Sequence, residues 1–171
     1  KDPQIEKDIL AIEAAYKAFA KKFAGKDFTS TASKLLVALK AQDALIEIPA
    51  SKPILYLWYR QTLDSHDKVA EQQINLISDR LTKIGNLAIF FGLAIAKIPT
   101  KLQKEYLKNP TLAPYHYLLS QSFATAKHNL TEAEEKIMAL KSNPARSLWI
   151  AGTDKIINKR EIEYKKKKMP L

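Results

Sequence analysis

The three histidines of this 171-residue sequence are the first candidates for metal or acid–base chemistry. They are His66, His116 and His128, and none has a second histidine four residues away. A zinc-binding helix of the H-E-x-x-H type needs that spacing, because residues four apart lie on one face. A zinc site assembled from distant histidines and carboxylates is a minor alternative. We expect His66 to cap a helix, and His116 and His128 to lie on solvated or half-buried faces.

Carboxylates and nucleophiles give no clearer catalytic pattern. Glu132, Glu134 and Glu135 lie close enough in sequence to act as acid and base. The favoured interpretation is structural, because T-E-A-E from Thr131 matches a capping box and acidic residues stabilise the positive end of a helix dipole. No G-x-S-x-G elbow or phosphate-binding glycine loop occurs, and there is no cysteine. The sequence therefore names no catalytic, cofactor-binding or metal-binding residue.

Two apolar segments could form surfaces for binding. Y-L-W-Y-R at residues 56–60 places aromatics beside an arginine, a combination that can stack bases or peptide. Packing in the core with one exposed face is the preferred interpretation. Residues 87–98 hold ten apolar residues in twelve, well short of the roughly 20 that a membrane-spanning helix needs. They predict a buried helix and no membrane segment.

The elements that must position these residues are predicted to be helices. Apolar residues recur at spacings of three and four, which predicts an all-α, multi-helix bundle. The first helix should begin at Asp2–Pro3 and end near Gly25, which is a favourable C-terminal cap. The second should begin after one of three candidate caps and run to about Ile48. Those candidates are Thr29, Ser30 and Thr31.

A long helix is expected in the middle of the chain. Residues 67 to about 97 contain no proline and keep their apolar spacing, so we expect one central helix about 45 Å long. A short buried helix with Pro53 in its first turn should precede it, and a strand is the minor alternative. Further helices are expected after Thr100, Pro114 and Thr131, with breaks at Asn109–Pro110 and Asn143–Pro144.

The end of the sequence differs from the rest. E-I-E-Y at residues 161–164 alternates charged and apolar residues, which predicts a short strand that needs a partner. We therefore predict a helical domain over residues 1–157 and a strand or hairpin segment over residues 158–171. Four lysines, residues 165–168, lie where this hairpin would turn. The interpretation preferred for them is a hairpin interrupted within its return strand; the alternative is a purposeful basic tail.

The net charge of +10 is concentrated near that end. Positions 155 to 168 contain seven basic residues and only two acidic ones. The basic residues are Lys155, Lys159, Arg160, Lys165, Lys166, Lys167 and Lys168. Elsewhere the two signs are interleaved, which predicts a weak field rather than a continuous nucleic-acid-binding surface. No secretory leader pattern opens the sequence, and the absence of cysteine fits the cytoplasm.

Taken in order, several segments resemble the N-terminal helical region of the oligoendopeptidase F family. They are K-D-P-Q-I-E-K-D-I, N-P-T-L-A-P-Y-H-Y-L-L-S-Q-S-F, H-N-L-T-E-A-E-E-K-I-M-A-L-K-S, L-W-I-A-G-T-D and R-E-I-E-Y-K-K-K-K-M-P-L. The family stretch L-(S/T)-x-x-E-E is matched by Leu130, Thr131, Glu134 and Glu135, and a following tryptophan is matched by Trp149. The four lysines depart from the glycine or polar residues that the family often has at this turn.

The resemblance implies the function of a longer protein. It implies a thimet-oligopeptidase-like zinc metallopeptidase that hydrolyses short peptides, with this chain as a non-catalytic wall of the substrate channel. The zinc, its H-E-x-x-H ligands and the general base would lie in a catalytic domain that follows the helices. Expected partners are that catalytic domain, which would cover the last helix and part of residues 87–98, the peptide substrates, and a second copy through exposed apolar surface. The alternative is a stand-alone helical module whose basic tail contacts nucleic acid or an anionic membrane.

Overall fold

The computed structural model describes residues 3–49, 52–64, 67–158, 161–164 and 167–170. The all-α class predicted from the sequence is confirmed, because helices make up almost all of these residues. They are α1 (Pro3–Phe23), α2 (Ala32–Ile46), α3 (Lys52–Leu63), α4 (Lys68–Gly85), α5 (Ile89–Ala96), α6 (Thr100–Tyr106), α7 (His116–Thr125), α8 (Glu132–Ser142) and α9 (Leu148–Asn158). Two 3₁₀ helices, Pro110–Tyr115 and Ala126–His128, flank α7. Beyond α9 the strands Glu161–Tyr164 and Lys167–Pro170 pair antiparallel.

The first two helices begin and end at residues with special backbone chemistry. The predicted start at Pro3 is confirmed, whereas its predicted cap, Asp2, lies outside the described residues. After α1 the chain turns at Gly25, whose φ of 68° is the left-handed conformation that glycine adopts without strain. Of the three candidate caps of α2, Thr31 is the one used: its side chain accepts a hydrogen bond from the Lys34 N–H at 3.3 Å.

The predicted long central helix is wrong, because it is divided into α4 and α5. Residues 86–88 form tight turns in which Leu87 N–H bonds to Ile84 C=O and Ala88 N–H bonds to Gly85 C=O. Gly85 and Asn86 are both poor helix formers, which favours a break at this point. Helix α5 is buried in the core, as the apolar composition of this segment predicted. No helix in the described ranges is long and apolar enough to cross a bilayer.

The short helices around α6 and α7 start at slightly different residues from those predicted. Thr100 is the first residue of α6 rather than its cap, and Pro99 holds the capping position without a side-chain bond. Asn109 caps the following 3₁₀ helix, its side chain accepting from Thr111 N–H at 2.9 Å. Pro114 lies inside that 3₁₀ helix, and α7 begins only at His116.

Two apolar clusters form the core, and α1 contributes to both. Its first half packs Ile9 and Ile12 against α3 and α4, where Leu57, Ala70 and Ile77 are buried. Its second half supplies two phenylalanines to a larger cluster with α2, α5, α6 and α7; the aromatic residues of this cluster are Phe19, Phe23, Phe28, Phe91 and Tyr106. Ion pairing adds a contact on the outside, since Arg80 on α4 donates twice to Glu6 on α1, at 2.8 and 3.0 Å.

A phenol–carboxylate hydrogen bond joins α2 to the 3₁₀ helix before α7. The Tyr115 hydroxyl donates to the Asp43 carboxylate. This hydrogen bond, together with burial, raises the pKa of Tyr115 to about 12. Because the folded pKa lies above the ordinary value of 10, the stabilisation is complete below pH 10 and is lost as the pH rises toward 12.

We therefore expect the melting temperature of the wild-type chain to fall more steeply between pH 10 and 12 than that of Tyr115→Phe, which has no phenol to ionise at this site. Melting curves followed by circular dichroism at several pH values measure this difference. Tyr117→Phe is the matched control, because Tyr117 is exposed, and it should keep the wild-type slope. Equal slopes for wild type and Tyr115→Phe would contradict the assignment.

Candidate binding groove

Helices α8 and α9 form one continuous helical arm, which we call the α8–α9 arm. Its first turn holds the predicted capping box: Thr131 Oγ1 accepts from Glu134 N–H at 3.3 Å, and Glu134 Oε2 accepts from Thr131 N–H at 2.8 Å. The predicted break at Asn143–Pro144 is wrong. Residues Asn143–Ser147 form a π-helical turn instead, in which Leu148 N–H bonds to Asn143 C=O five residues earlier.

The π turn explains how the arm accommodates Pro144. Proline lacks an N–H and normally interrupts an α-helix, but a π turn accommodates one additional residue within the helix. One residue corresponds to a rotation of about 100° in an α-helix. Because the π turn accommodates this additional residue, Ala151 and Asp154 of α9 lie on the same side of the arm as Ala139 and Asn143 of α8.

That side of the arm faces α3 and α4 across a groove of about 830 Å³. An adjoining hollow of about 360 Å³ shares several of its lining residues and extends the groove toward Lys155. Apolar and neutral polar side chains make up most of the lining: Ile54, Trp58, Gln61, Glu71, Ile74, Asn75, Ser78, Thr82, Ala139, Ser142, Asn143, Ser147, Leu148, Ile150, Ala151 and Asp154.

Two polar contacts hold the arm to α4 at opposite ends of the groove. Asn143 Nδ2 donates to Asp79 Oδ1 at 3.1 Å near the π turn, and the Lys155 ammonium pairs with the Glu71 carboxylate near the end of α9. Asp154 lies beside this pair and has no ion-pair partner in the described part of the chain. The Lys155 end of the groove therefore has two carboxylates and one ammonium group, which makes it locally acidic in a strongly basic chain.

Helix α4 contributes to the groove a polar stripe that was not predicted from the sequence. Glu71, Asn75, Ser78 and Thr82 recur at spacings of four, three and four, beside the apolar residues that α4 buries. This periodicity is visible in the sequence, and it predicts a polar strip that lies along one side of the helix. It was overlooked because the apolar stripe alone was sufficient to identify the helix.

The predicted core packing of Y-L-W-Y-R on α3 is wrong. Only Leu57 of this segment is buried, while Trp58 is 60% exposed at the groove and Tyr56 and Tyr59 are exposed as well. Helices α1 and α4 both pack against the Leu57 side of α3, so the aromatic residues on its other sides remain exposed. The segment is therefore an aromatic surface rather than part of the core.

The α8–α9 arm also exposes apolar side chains away from the groove. Trp149 is 73% exposed, and the exposed large apolar residues of the arm that do not line the groove are Ile137, Met138, Leu140, Trp149, Ile156 and Ile157. None of the described side chains of the arm is buried. Residues 87–98, in contrast, bury Phe91, Leu93 and Ile95 but leave Leu87 36% exposed, so the expectation that another domain covers part of this segment stays a prediction.

The remaining candidates are the three histidines and the acidic residues near Thr131. His66 lies outside the described residues. His116 is half-buried with Nε2 3.1 Å from Asn109 C=O, and His128 is exposed, as predicted.

The acidic residues near Thr131 are held in local contacts. Hydrogen bonds from Thr131 lower the pKa of Glu134 and keep its carboxylate in the capping box. Glu132 pairs with Lys136 at 2.5 Å, and Glu135 accepts from Leu130 N–H at 3.0 Å. Among described residues, no group of three or more histidines and carboxylates could hold a metal ion.

The chain is similar to known oligopeptidases in part of its sequence and in its fold. Residues 95–157 match the family model described as Oligopeptidase F, which represents an N-terminal region of those proteins. The crystal structure of oligoendopeptidase-F from Enterococcus faecium shares the fold over 100% of this chain, with a TM-score of 0.74 and 16% identity. No curated protein matches the sequence.

The match covers 34% of the E. faecium chain, so this chain spans about a third of the length of that protein. The matched residues 95–157 include all of α8 and nearly all of α9. The resemblance predicted from the order of the sequence segments is confirmed: by sequence over residues 95–157 and by fold over its whole length, the chain is similar to the N-terminal helical region of oligopeptidase F.

Proposed function

We propose that this chain is the non-catalytic helical region of a cytoplasmic zinc-dependent oligoendopeptidase that hydrolyses short peptides, and that it forms one wall of the substrate channel. Zinc, its ligands and the general base would belong to a further part of the same polypeptide, reached through residues 158–171. The chain would position and enclose peptides rather than cleave them.

One observation carries this proposal. The family match includes the α8–α9 arm, although none of the arm's described side chains is buried. Core packing within this chain therefore does not account for the apolar residues there. Contiguous exposed apolar surface is typical of an interaction site. The outer side of the arm, centred on Trp149, would pack against the catalytic part.

The test uses the longer polypeptide and two matched variants of it. We expect this protein to cleave short peptides only with zinc bound, and the 171-residue chain alone to be inactive. Trp149→Asp should lower both the melting temperature and the peptidase activity of the longer protein, because it would bury an unpaired charge at the contact. In the 171-residue chain alone the same substitution should change stability little, by about 0.5 kcal/mol or less.

Tyr117→Asp is the control. Tyr117 is also an exposed aromatic residue, but it lies on α7 outside the arm, so its substitution should leave the longer protein unchanged. Peptidase activity of the 171-residue chain itself would refute the proposal that this chain is non-catalytic. Equal effects of the two substitutions would refute the contact through the arm.

A stand-alone binding module is the second function considered from the sequence. It would contact nucleic acid or anionic membrane through the lysines at 165–168, and its affinity would fall steeply with salt. Salt-dependent binding that disappears when these four lysines are replaced by glutamine would favour it over the peptidase role.

A further inference from the structure

The length of the groove suits a short peptide. On α4 the groove extends from Glu71 to Thr82, and these two residues are separated by eleven steps of 1.5 Å, about 16 Å. An extended peptide rises about 3.3 Å per residue, so about five residues would fill this length. The volume of about 830 Å³ lies within the range of ligand-binding clefts.

The walls of the groove match the two kinds of group that a peptide presents. Ile54, Trp58 and Ile74 on one side, and Leu148 and Ala151 on the other, provide apolar surface for side chains. The polar stripe of α4 lies between them. Among described residues, the side chains of Asn75 and Ser78 make no hydrogen bond, so they can bond to a peptide backbone.

Charge distinguishes the two ends of the groove. The Glu71 and Asp154 carboxylates lie at one end, with Lys155 as the one ammonium group among the residues that line that end. A peptide's α-amino group is cationic at neutral pH, because its pKa is about 7.7–8.0. At the other end the lining residues Ser142, Asn143 and Ser147 are neutral, and the Asp79 carboxylate that accepts from Asn143 is balanced by Lys83 in the adjoining hollow. This arrangement favours one orientation of a bound peptide.

We infer that the groove binds a short peptide in extended form, with its free α-amino group at Glu71 and Asp154 and its apolar side chains against Trp58 and Leu148. The inference rests on the proposed function for the class of ligand and on the groove for the mode of binding. The groove would hold the amino-terminal part of a peptide on the helical region, without any metal.

Trp58 gives a direct measurement, because the chain has only two tryptophans. In a Trp149→Phe variant of the 171-residue chain, Trp58 is the sole tryptophan. Titration with the pentapeptide Leu-Ser-Val-Leu-Ala should change its fluorescence in a saturable way. Acetylation of the peptide's amino group should weaken binding about tenfold, since it removes a charge-assisted hydrogen bond. Calorimetry on the unmodified chain provides a second measurement that does not depend on the Trp149 substitution.

Asp154→Asn should weaken binding of the free peptide about tenfold and leave the acetylated peptide unaffected. Glu132→Gln is the matched control, because Glu132 is an exposed, ion-paired carboxylate on α8 outside the groove lining, and it should bind as wild type does. Circular dichroism confirms that each variant is folded. Equal affinity for free and acetylated peptides, or no saturable binding at millimolar concentration in either measurement, would overturn the inference.

These outcomes are separate from those of the peptidase test. The groove proposal fails if the chain binds no peptide, even when the longer protein proves to be a zinc peptidase. The proposed function fails if the longer protein has no zinc-dependent activity, even when the chain binds peptides by their amino termini.

Discussion

Phe91→Ala is expected to lower the free energy of unfolding by about 3–5 kcal/mol, the usual cost of truncating a fully buried phenylalanine. Phe91 is 1% exposed on α5. Its ring stacks on that of Phe28, with ring centroids 4.9 Å apart and an interplanar angle of 4°. The ring centroids of Phe19 and Phe23 lie 5.2 and 6.4 Å from that of Phe91. The substitution would leave a cavity that rigid neighbouring rings cannot fill. Urea denaturation followed by circular dichroism measures the change.

Leu63→Ala is the control for this substitution. Leu63 is 90% exposed at the end of α3, so its truncation should change the free energy of unfolding by no more than about 0.5 kcal/mol. The loss in free energy of unfolding for Phe91→Leu should lie between these two values, because leucine retains part of the buried volume. A loss below 1 kcal/mol for Phe91→Ala would show that α5 is not packed as described.

Insertion of one alanine after Ala145 is expected to weaken peptide binding at least about tenfold, whereas deletion of Pro144 should preserve it. The π turn already absorbs one residue, so a further residue would rotate α9 by about 100° and move Ala151 and Asp154 out of the groove. Deletion of Pro144 would give a regular α-helix with the same faces toward the groove. It would also remove a proline, so the arm should become more stable.

Both variants are measured by titration with the same pentapeptide and by thermal melting. The ion pair gives an independent control: Lys155→Ala should lower the melting temperature in the wild-type and Pro144-deleted chains, but not in the chain with the insertion, where Lys155 has left Glu71. Exposed pairs contribute only about 0.2–1 kcal/mol, so this comparison needs replicate melts. If deletion of Pro144 abolished peptide binding and the alanine insertion preserved it, the assignment of the π turn would be contradicted.

Local signals in the sequence predicted most of the helices but not their interruptions. Caps such as Thr31 and Thr131 act within four residues, so the sequence around them is sufficient to locate a helix start. The division of α4 from α5 was missed because the apolar spacing continues through Leu87 and Ala88. At these residues the backbone leaves the helix while the side chains remain apolar. Composition therefore does not distinguish a continuous helix from an interrupted one.

Burial on α3 could not be predicted because it depends on which helices are near. Tyr56, Trp58 and Tyr59 have the composition of a core segment, yet α1 and α4 cover only one side of α3. Likewise, the groove needs α3, α4 and the arm at a particular separation, which no local pattern determines. The polar stripe of α4 was the one part of the site that periodicity alone could have revealed.

The two apolar clusters share α1, and this has a consequence for synthesis on the ribosome. Residues 3–23 emerge first, and α2 soon follows as a partner for the second half of α1, but each cluster is completed by a later helix: α4 for the first half and α7 for the second. These helices end at Gly85 and Thr125. The two halves of α1 would therefore be buried in succession as the nascent chain lengthens, the first when α4 has emerged and the second only when α7 has followed.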